Sequence, residues 1–111
     1  QENAKMHAIV EDVVEASHNG IISWEIKSNI QPVLLQGKDD YEKTKERWII
    51  FEEYFTEKKI KFKKIVSIEG DIISKLVNLI YILDYASIYL AVINKIDPTP
   101  VYSIDYIKNR L

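Results

Sequence analysis

The chain has 111 residues, of which 47% are hydrophobic and 29% charged, a composition typical of one ordinary soluble domain. Its net charge of −2 and its pI of about 5.7 argue against nucleic acid and an anionic membrane surface as partners. The sequence contains no cysteine. This excludes disulfide frameworks, thiolate metal sites and thiol catalysis, and it suits a cytoplasmic protein.

The first predicted element is a helix over residues 2–16. Its apolar residues recur at spacings of three to five positions, at Ala4, Ala8, Ile9, Val13 and Ala16. Residues 17–20 are expected to end the helix, because Asn and Gly tolerate the left-handed backbone conformation. His18 is therefore predicted to lie in a loop just past a helix end.

The next two segments are short. Residues 21–26 favour either a strand or an irregular segment with Trp24 in the core, and the sequence leaves both open. Residues 33–35 form a brief apolar run bounded by turn residues, which predicts a buried strand.

A second helix and a second strand follow. Asp40 is expected to cap a helix over residues 41–59, whose aromatic and aliphatic positions keep helical spacing. Residues 61–68 alternate apolar and lysine positions, which is typical of a strand with a polar end.

The longest apolar segment spans residues 72–90 and continues to the Asp97-Pro98 pair, which stops any helix. A helix that is apolar nearly all round belongs in a protein interior or a bilayer. Asp84 in its middle would be costly in hydrocarbon, so the central helix of a globular core is favoured over a membrane span. If buried, Asp84 is expected to be paired.

The order strand, helix, strand, helix predicts an α/β fold with parallel strands joined by a right-handed crossover. Two strands together with four helices are typical of a remnant, or a truncated form, of a larger doubly wound fold. The apolar helix faces exceed what two strands can cover. The excess is expected to meet another domain or a second copy of the chain.

Several stretches carry a family resemblance: residues 2–5 (ENAK), 17–19 (SHN), 83–91 (LDYASIYLA), 97–101 (DPTPV) and 107–111 (IKNRL). They resemble the C-terminal third of the bifunctional phosphoglucose/phosphomannose isomerases. The resemblance implies a three-layer sugar-isomerase-like domain, with a short parallel sheet flanked by helices. It also implies that residues 1–111 are the C-terminal domain of a longer two-domain enzyme.

The resembling family interconverts glucose 6-phosphate or mannose 6-phosphate with fructose 6-phosphate. This reaction opens a pyranose ring and moves a proton through an enediol, so it needs a carboxylate base and an acid/base pair at the ring oxygen. It needs no cofactor and no metal. His7 and His18 also lack the spacing of a metal motif.

The resemblance assigns roles to three residues: Glu2 matches the proton-transfer base, His18 the ring-opening histidine and Lys108 a lysine that assists ring opening. Thr99, held in an extended turn by Pro98 and Pro100, is a candidate to bind the sugar C2 group. Ordinary explanations remain open for each. A helix dipole stabilises a first-turn Glu and a last-turn Lys, a loop His is often just solvated, and the Thr99 turn could be a hinge.

The chain departs from the family pattern at the histidine loop. Residues 14–20 read VEASHNG, whereas family members usually show Pro-Glu-Leu-Asn-His-Asn-Glu. In addition, no Gly-rich or Ser/Thr-rich loop that could hold a phosphate follows a predicted strand. The resemblance places that loop in an N-terminal sugar-isomerase domain, and it places the active site between the two subunits of a homodimer.

Two functions of different class therefore fit the sequence. One is a catalytic domain that acts on a sugar phosphate. The alternative is a non-catalytic sugar-phosphate-binding or dimerisation module of the same fold.

Overall fold

The computed structural model describes residues 1–26 and 29–111. By contact these residues divide into two compact units, a sheet unit of residues 10–79 and a terminal unit of residues 1–9 and 80–111. The elements in chain order are α1 (Val13–Ala16), a 3₁₀ helix (Gly20–Glu25), β1 (Val33–Gln36), α2 (Glu42–Glu57), β2 (Lys63–Val66), α3 (Ile72–Ile93) and α4 (Tyr102–Lys108).

The sheet unit is built on a β1–α2–β2 crossover. The two strands run parallel, with Val33 opposite Lys63 and Gln36 opposite Val66. This confirms the predicted α/β class and the short parallel sheet with helices. The three-layer arrangement and the hand of the crossover stay predictions.

The core of the sheet unit is a cluster of aromatic rings from α2 packed on β1. Phe55 is 1% exposed, and it packs with Phe51 and with Leu34 of β1. The Trp24 ring meets Phe55 edge to face, with centroids 5.3 Å apart, and the Phe62 centroid lies 5.8 Å from that of Phe55. Trp24 thus anchors the 3₁₀ helix to the core. Of the two alternatives for residues 21–26, the structure therefore shows the segment with Trp24 in the core and not a strand.

The two ends of α2 are formed in different ways. The expectation that Asp40 caps α2 is wrong, because its carboxylate accepts a hydrogen bond from Gly37 N at 2.8 Å and Tyr41 holds the capping position. At the other end Lys59 adopts a left-handed conformation (φ 58°). Ile60 N then donates to Phe55 O at 2.8 Å, which is the bond of a Schellman motif.

The predicted first helix is mostly wrong, since α1 covers only Val13–Ala16. Asp12 Oδ1 begins it by accepting bonds from Val14 N (2.9 Å) and Glu15 N (3.1 Å). Residues 6–12, all of them described, contain no helix. The helix does end at Ser17 as expected, but the left-handed ending is wrong because Asn19 has a φ of −103° and Gly20 has no positive φ.

The prediction that residues 72–90 form a buried core helix is wrong for this chain alone. Of the α3 residues, all of which the structure describes, Ala91 alone is buried, and Ile72 is 77% exposed. By length and composition α3 would suffice to cross a membrane, with a mean hydropathy of 1.9. Asp84 is exposed in its middle, so it needs no buried partner.

Candidate functional site

Glu2 lies in a turn that is attached to the second half of α3. Residues 2–5 form this turn, and Asn3 Nδ2 donates to Ser87 Oγ of α3 at 2.9 Å. Ala4 is 4% exposed, whereas the Glu2 side chain is exposed. Because Glu2 is not in a helix, a helix dipole does not explain its carboxylate. The turn instead holds an accessible carboxylate at a fixed place in the terminal unit.

Thr99 lies in a second ordered turn, between α3 and α4. Its backbone N donates to Asp97 Oδ1 at 2.9 Å. This bond, the Thr99 hydroxyl and the charge of Lys5 hold the pKa of the exposed Asp97 carboxyl below its ordinary value. The Thr99 oxygen keeps its capacity to accept a hydrogen bond from a sugar hydroxyl.

Lys5 connects these two turns. Its Nζ donates to Pro98 O at 3.1 Å and to Pro100 O at 2.7 Å, the carbonyls on either side of Thr99. The structure therefore brings together the segments that carry Glu2 and Thr99. Sequence reasoning assigned no role to Lys5, although it belongs to the ENAK stretch of residues 2–5 that carried the family resemblance.

Lys108 is the last residue of α4, and its side chain is exposed. It lies six residues beyond Tyr102, which is about 9 Å along a helix. The end of α4 is ordered, since Asn109 N donates to Asp105 O at 3.0 Å and the Arg110 guanidinium lies 3.6 Å from a tyrosine ring centroid. Lys108 therefore lies at the C-terminal end of α4, whereas the Thr99 turn precedes the N-terminal end of this helix.

His18 is a loop residue just past α1, as predicted, and its imidazole is exposed. The residues around it are held in place. Asn19 Nδ2 donates to Glu15 Oε1 at 2.8 Å, and Arg47 Nη1 donates to Ser17 Oγ at 2.6 Å. An exposed imidazole on an anchored loop can exchange protons with a bound ligand. His18 belongs to the sheet unit, whereas Glu2, Thr99 and Lys108 belong to the terminal unit.

The structure gives no steric reason for the glycine that follows the histidine loop. A Cβ at Gly20 would meet the end of the Glu11 side chain, which is exposed and flexible and can move aside.

The carboxyl ends of the two strands carry polar residues that the sequence analysis did not single out. Gln36 and Ser67 end or follow the strands and are 8% and 4% exposed. Gln36 Nε2 donates to Glu52 Oε1 at 2.8 Å, and Lys64 Nζ donates to the same oxygen at 2.7 Å. Burial alone would raise the pKa of Glu52, but these two bonds outweigh it and hold the pKa below its ordinary value.

Ligands of open α/β sheets usually bind at this end of the strands. Here Ser67 Oγ accepts a bond from Lys38 N at 3.2 Å and donates to Ile68 O at 3.0 Å. The polar groups at this end therefore connect loops to one another. Among residues 1–26 and 29–111, no group of three or more His, Asp or Glu side chains could hold a metal ion.

Comparison with known proteins gives a consistent result. The family model for the bacterial phospho-glucose isomerase C-terminal SIS domain matches residues 1–111. The chain is also similar to a bifunctional phosphoglucose/phosphomannose isomerase of Caldicellulosiruptor bescii, with 32% identity over 114 residues. That alignment covers 99% of this chain and 34% of the relative, so the chain spans about a third of the relative's length. No solved structure matches the chain.

Proposed function

Because the chain belongs to the family of bacterial phospho-glucose isomerase C-terminal SIS domains, we propose that it is the catalytic C-terminal domain of an aldose–ketose isomerase. The proposed reaction interconverts glucose 6-phosphate or mannose 6-phosphate with fructose 6-phosphate. The observation that supports it best is the pair of turns carrying Glu2 and Thr99, which Lys5 joins.

The proposed roles follow from what each side chain offers. Glu2, an exposed carboxylate on a fixed turn, takes the proton that moves between C1 and C2 of the open-chain sugar. His18 and Lys108 exchange protons with the ring oxygen and the C1 hydroxyl during ring opening. Thr99 accepts a hydrogen bond from the hydroxyl at C2. The enediol intermediate is reached without a cofactor.

The proposal includes partners, because the relative is about three times as long as this chain. An N-terminal sugar-isomerase domain supplies the loop that binds the substrate phosphate. A homodimer brings His18 to the terminal unit of the other subunit and completes the three-layer fold around α3.

The second candidate is a non-catalytic sugar-phosphate-binding or dimerisation module. Two observations favour it: α3 exposes its apolar side chains, and Gly20 stands where the family usually has glutamate. Activity of the full-length protein separates the two candidates, since the module would bind a sugar phosphate without isomerising it.

The isolated 111-residue chain is expected to show little or no isomerase activity. Proton transfer needs the substrate held in a near-attack geometry, and binding of the phosphate provides much of that holding energy. Turnover of fructose 6-phosphate by the chain alone should therefore be negligible beside that of a full-length protein that carries it. Equal turnover by the two would refute a phosphate site outside this chain.

The chain is expected to associate with itself through α3. Its exposed apolar surface is large for a monomer, and sedimentation at micromolar concentration should detect a dimer. Val77→Lys should weaken association at least tenfold, because Val77 is a 56% exposed α3 residue. Ile9→Lys is the matched control, since Ile9 is 87% exposed and lies outside α3. A monomer at all concentrations would contradict this expectation.

A further inference from the structure

Lys5 has an unusual backbone conformation for a lysine. Among the described residues, the non-glycine residues with positive φ are Lys5, Lys59 and Lys95. Lys95 follows α3 as Lys59 follows α2, and Ile96 N donates to Ala91 O at 2.8 Å in the same Schellman arrangement. The ends of those helices account for two of the three lysines, but Lys5 ends no helix.

A left-handed backbone is strained in a residue other than glycine, and it persists only where the surrounding structure holds it. The Lys5 side chain makes two hydrogen bonds, from Nζ to Pro98 O and to Pro100 O, and its charge also acts on the Asp97 carboxyl. They join positions 93 and 95 residues apart in the sequence. An ammonium group bonded to carbonyl oxygens is a charge-assisted contact, stronger than a bond between neutral groups.

The two carbonyls that Lys5 binds enclose Thr99. Lys5 thereby holds the peptide unit that joins Pro98 to Thr99 and the unit that follows Pro100, while Asp97 Oδ1 accepts a bond from the Thr99 amide. On the other side, Glu2 precedes Lys5 by three residues, which places their Cα atoms at most about 11 Å apart. Asn3 attaches the same turn to α3.

We propose that Lys5 is a positioning residue, which holds the Thr99 turn against the turn that carries Glu2. This inference rests on the proposed function of Glu2 and Thr99. Two of the three Nζ donors of Lys5 are engaged with carbonyls, so its part in the site is to act through Thr99, and no proton-transfer step is assigned to it. Its contribution is a fixed distance between the base and the hydroxyl that binds the sugar.

The structural part of the proposal is tested on the ¹⁵N-labelled 111-residue chain. In Lys5→Met the order parameter of the Thr99 N–H should fall from about 0.85, the value of a rigid backbone, to below about 0.6. Lys5→Arg should keep the rigid value, because a guanidinium also has several donors. The Ile96 amide, which donates to Ala91 O at 2.8 Å in the same unit, should be unchanged and reports that the terminal unit is folded. A rigid Thr99 in folded Lys5→Met would overturn the proposal.

The functional part is tested on the full-length protein with fructose 6-phosphate. Lys5→Met should lower kcat/KM by about 100-fold, mainly through kcat, because a misplacement near 1 Å has an effect of that size. The pH profile should keep its shape, and Lys5→Arg should recover most of the rate. Lys95→Met is the matched control, since Lys95 is a left-handed lysine of the same unit, and it should retain full activity.

The outcomes test the proposed isomerase function and the positioning role of Lys5 separately. A full-length wild-type protein without isomerase activity would refute the proposed function itself. Wild-type activity that Lys5→Met leaves unchanged would refute the positioning role alone. A shift of the pH profile in Lys5→Met would also overturn it, because that would make Lys5 a proton-transfer group.

Discussion

Glu2→Gln in a full-length protein that carries this chain is expected to abolish isomerisation, even of a substrate that is already open-chain. The amide that replaces the carboxylate cannot accept the proton that leaves C2. Of the groups assigned to the site, none other is a carboxylate, so no neighbour replaces it. General acid–base groups contribute roughly 100- to 10,000-fold, and the loss should lie at the upper end of that range.

His18→Ala is the informative comparison, because ring opening and enolisation are separate steps. Removal of a ring-opening group should cause a large loss on a cyclic substrate and a smaller one on an open-chain analogue. Exchange of the C2 proton with solvent, followed by NMR for both variants, measures enolisation directly. Equal loss of exchange in Glu2→Gln and His18→Ala on the open-chain substrate would show that the separate roles are wrongly assigned.

The parts of the fold that the sequence predicted well are those where neighbours in the chain supply the packing. The β1–α2–β2 unit combines two short apolar runs with a helix whose Phe51 and Phe55 lie one turn apart on the same face. That face is buried by Leu34 of β1, by Trp24 of the preceding 3₁₀ helix and by Phe62. Local pattern and local packing agree there, so the prediction succeeded.

The predictions of the first helix and of a buried core helix failed for a common reason. A sequence pattern indicates an apolar helix face, but it does not show whether another element packs on that face. Residues 6–12 have the apolar spacing of a helix, yet Ile9 and Val10 are 87% and 92% exposed. A short helix without a packed face is marginal in water. α3 has helix-forming length of its own, and it forms without being buried.

The candidate site was predictable in part. Family motifs suggested Glu2, His18 and Lys108, and the flanking prolines suggested Thr99. The structure shows each of them exposed, and their roles stay predictions. Lys5 was not singled out, because the role that we propose for it depends on contacts with carbonyls 93 and 95 residues away. Such contacts leave no periodic signal in the sequence. The structure was also needed to show that Glu2 lies on a turn and not in a helix.

The largest loss of stability from a single substitution is expected for Phe55→Ala, at about 3–5 kcal/mol. Phe55 is 1% exposed, and its ring lies within 6.0 Å, centroid to centroid, of those of Trp24, Phe51, Tyr54 and Phe62. Its removal leaves a cavity where α2 packs against β1, the 3₁₀ helix and Phe62. Because a domain of this size is stable by only about 5–15 kcal/mol, the loss would be a large fraction of the total.

Urea unfolding followed by tryptophan fluorescence measures this loss, since Trp24 packs directly on the Phe55 ring. Ile50→Ala is the matched control on the same helix, because Ile50 is 62% exposed, and it should change stability by less than about 0.5 kcal/mol. If Phe55→Ala does not fold, Phe55→Leu keeps most of the volume and should still fold with a smaller loss. A loss for Phe55→Ala as small as that of the control would show that the aromatic cluster does not hold the sheet unit together. The anchored histidine loop, whose Ser17 is bonded by Arg47 of α2, would then need another support.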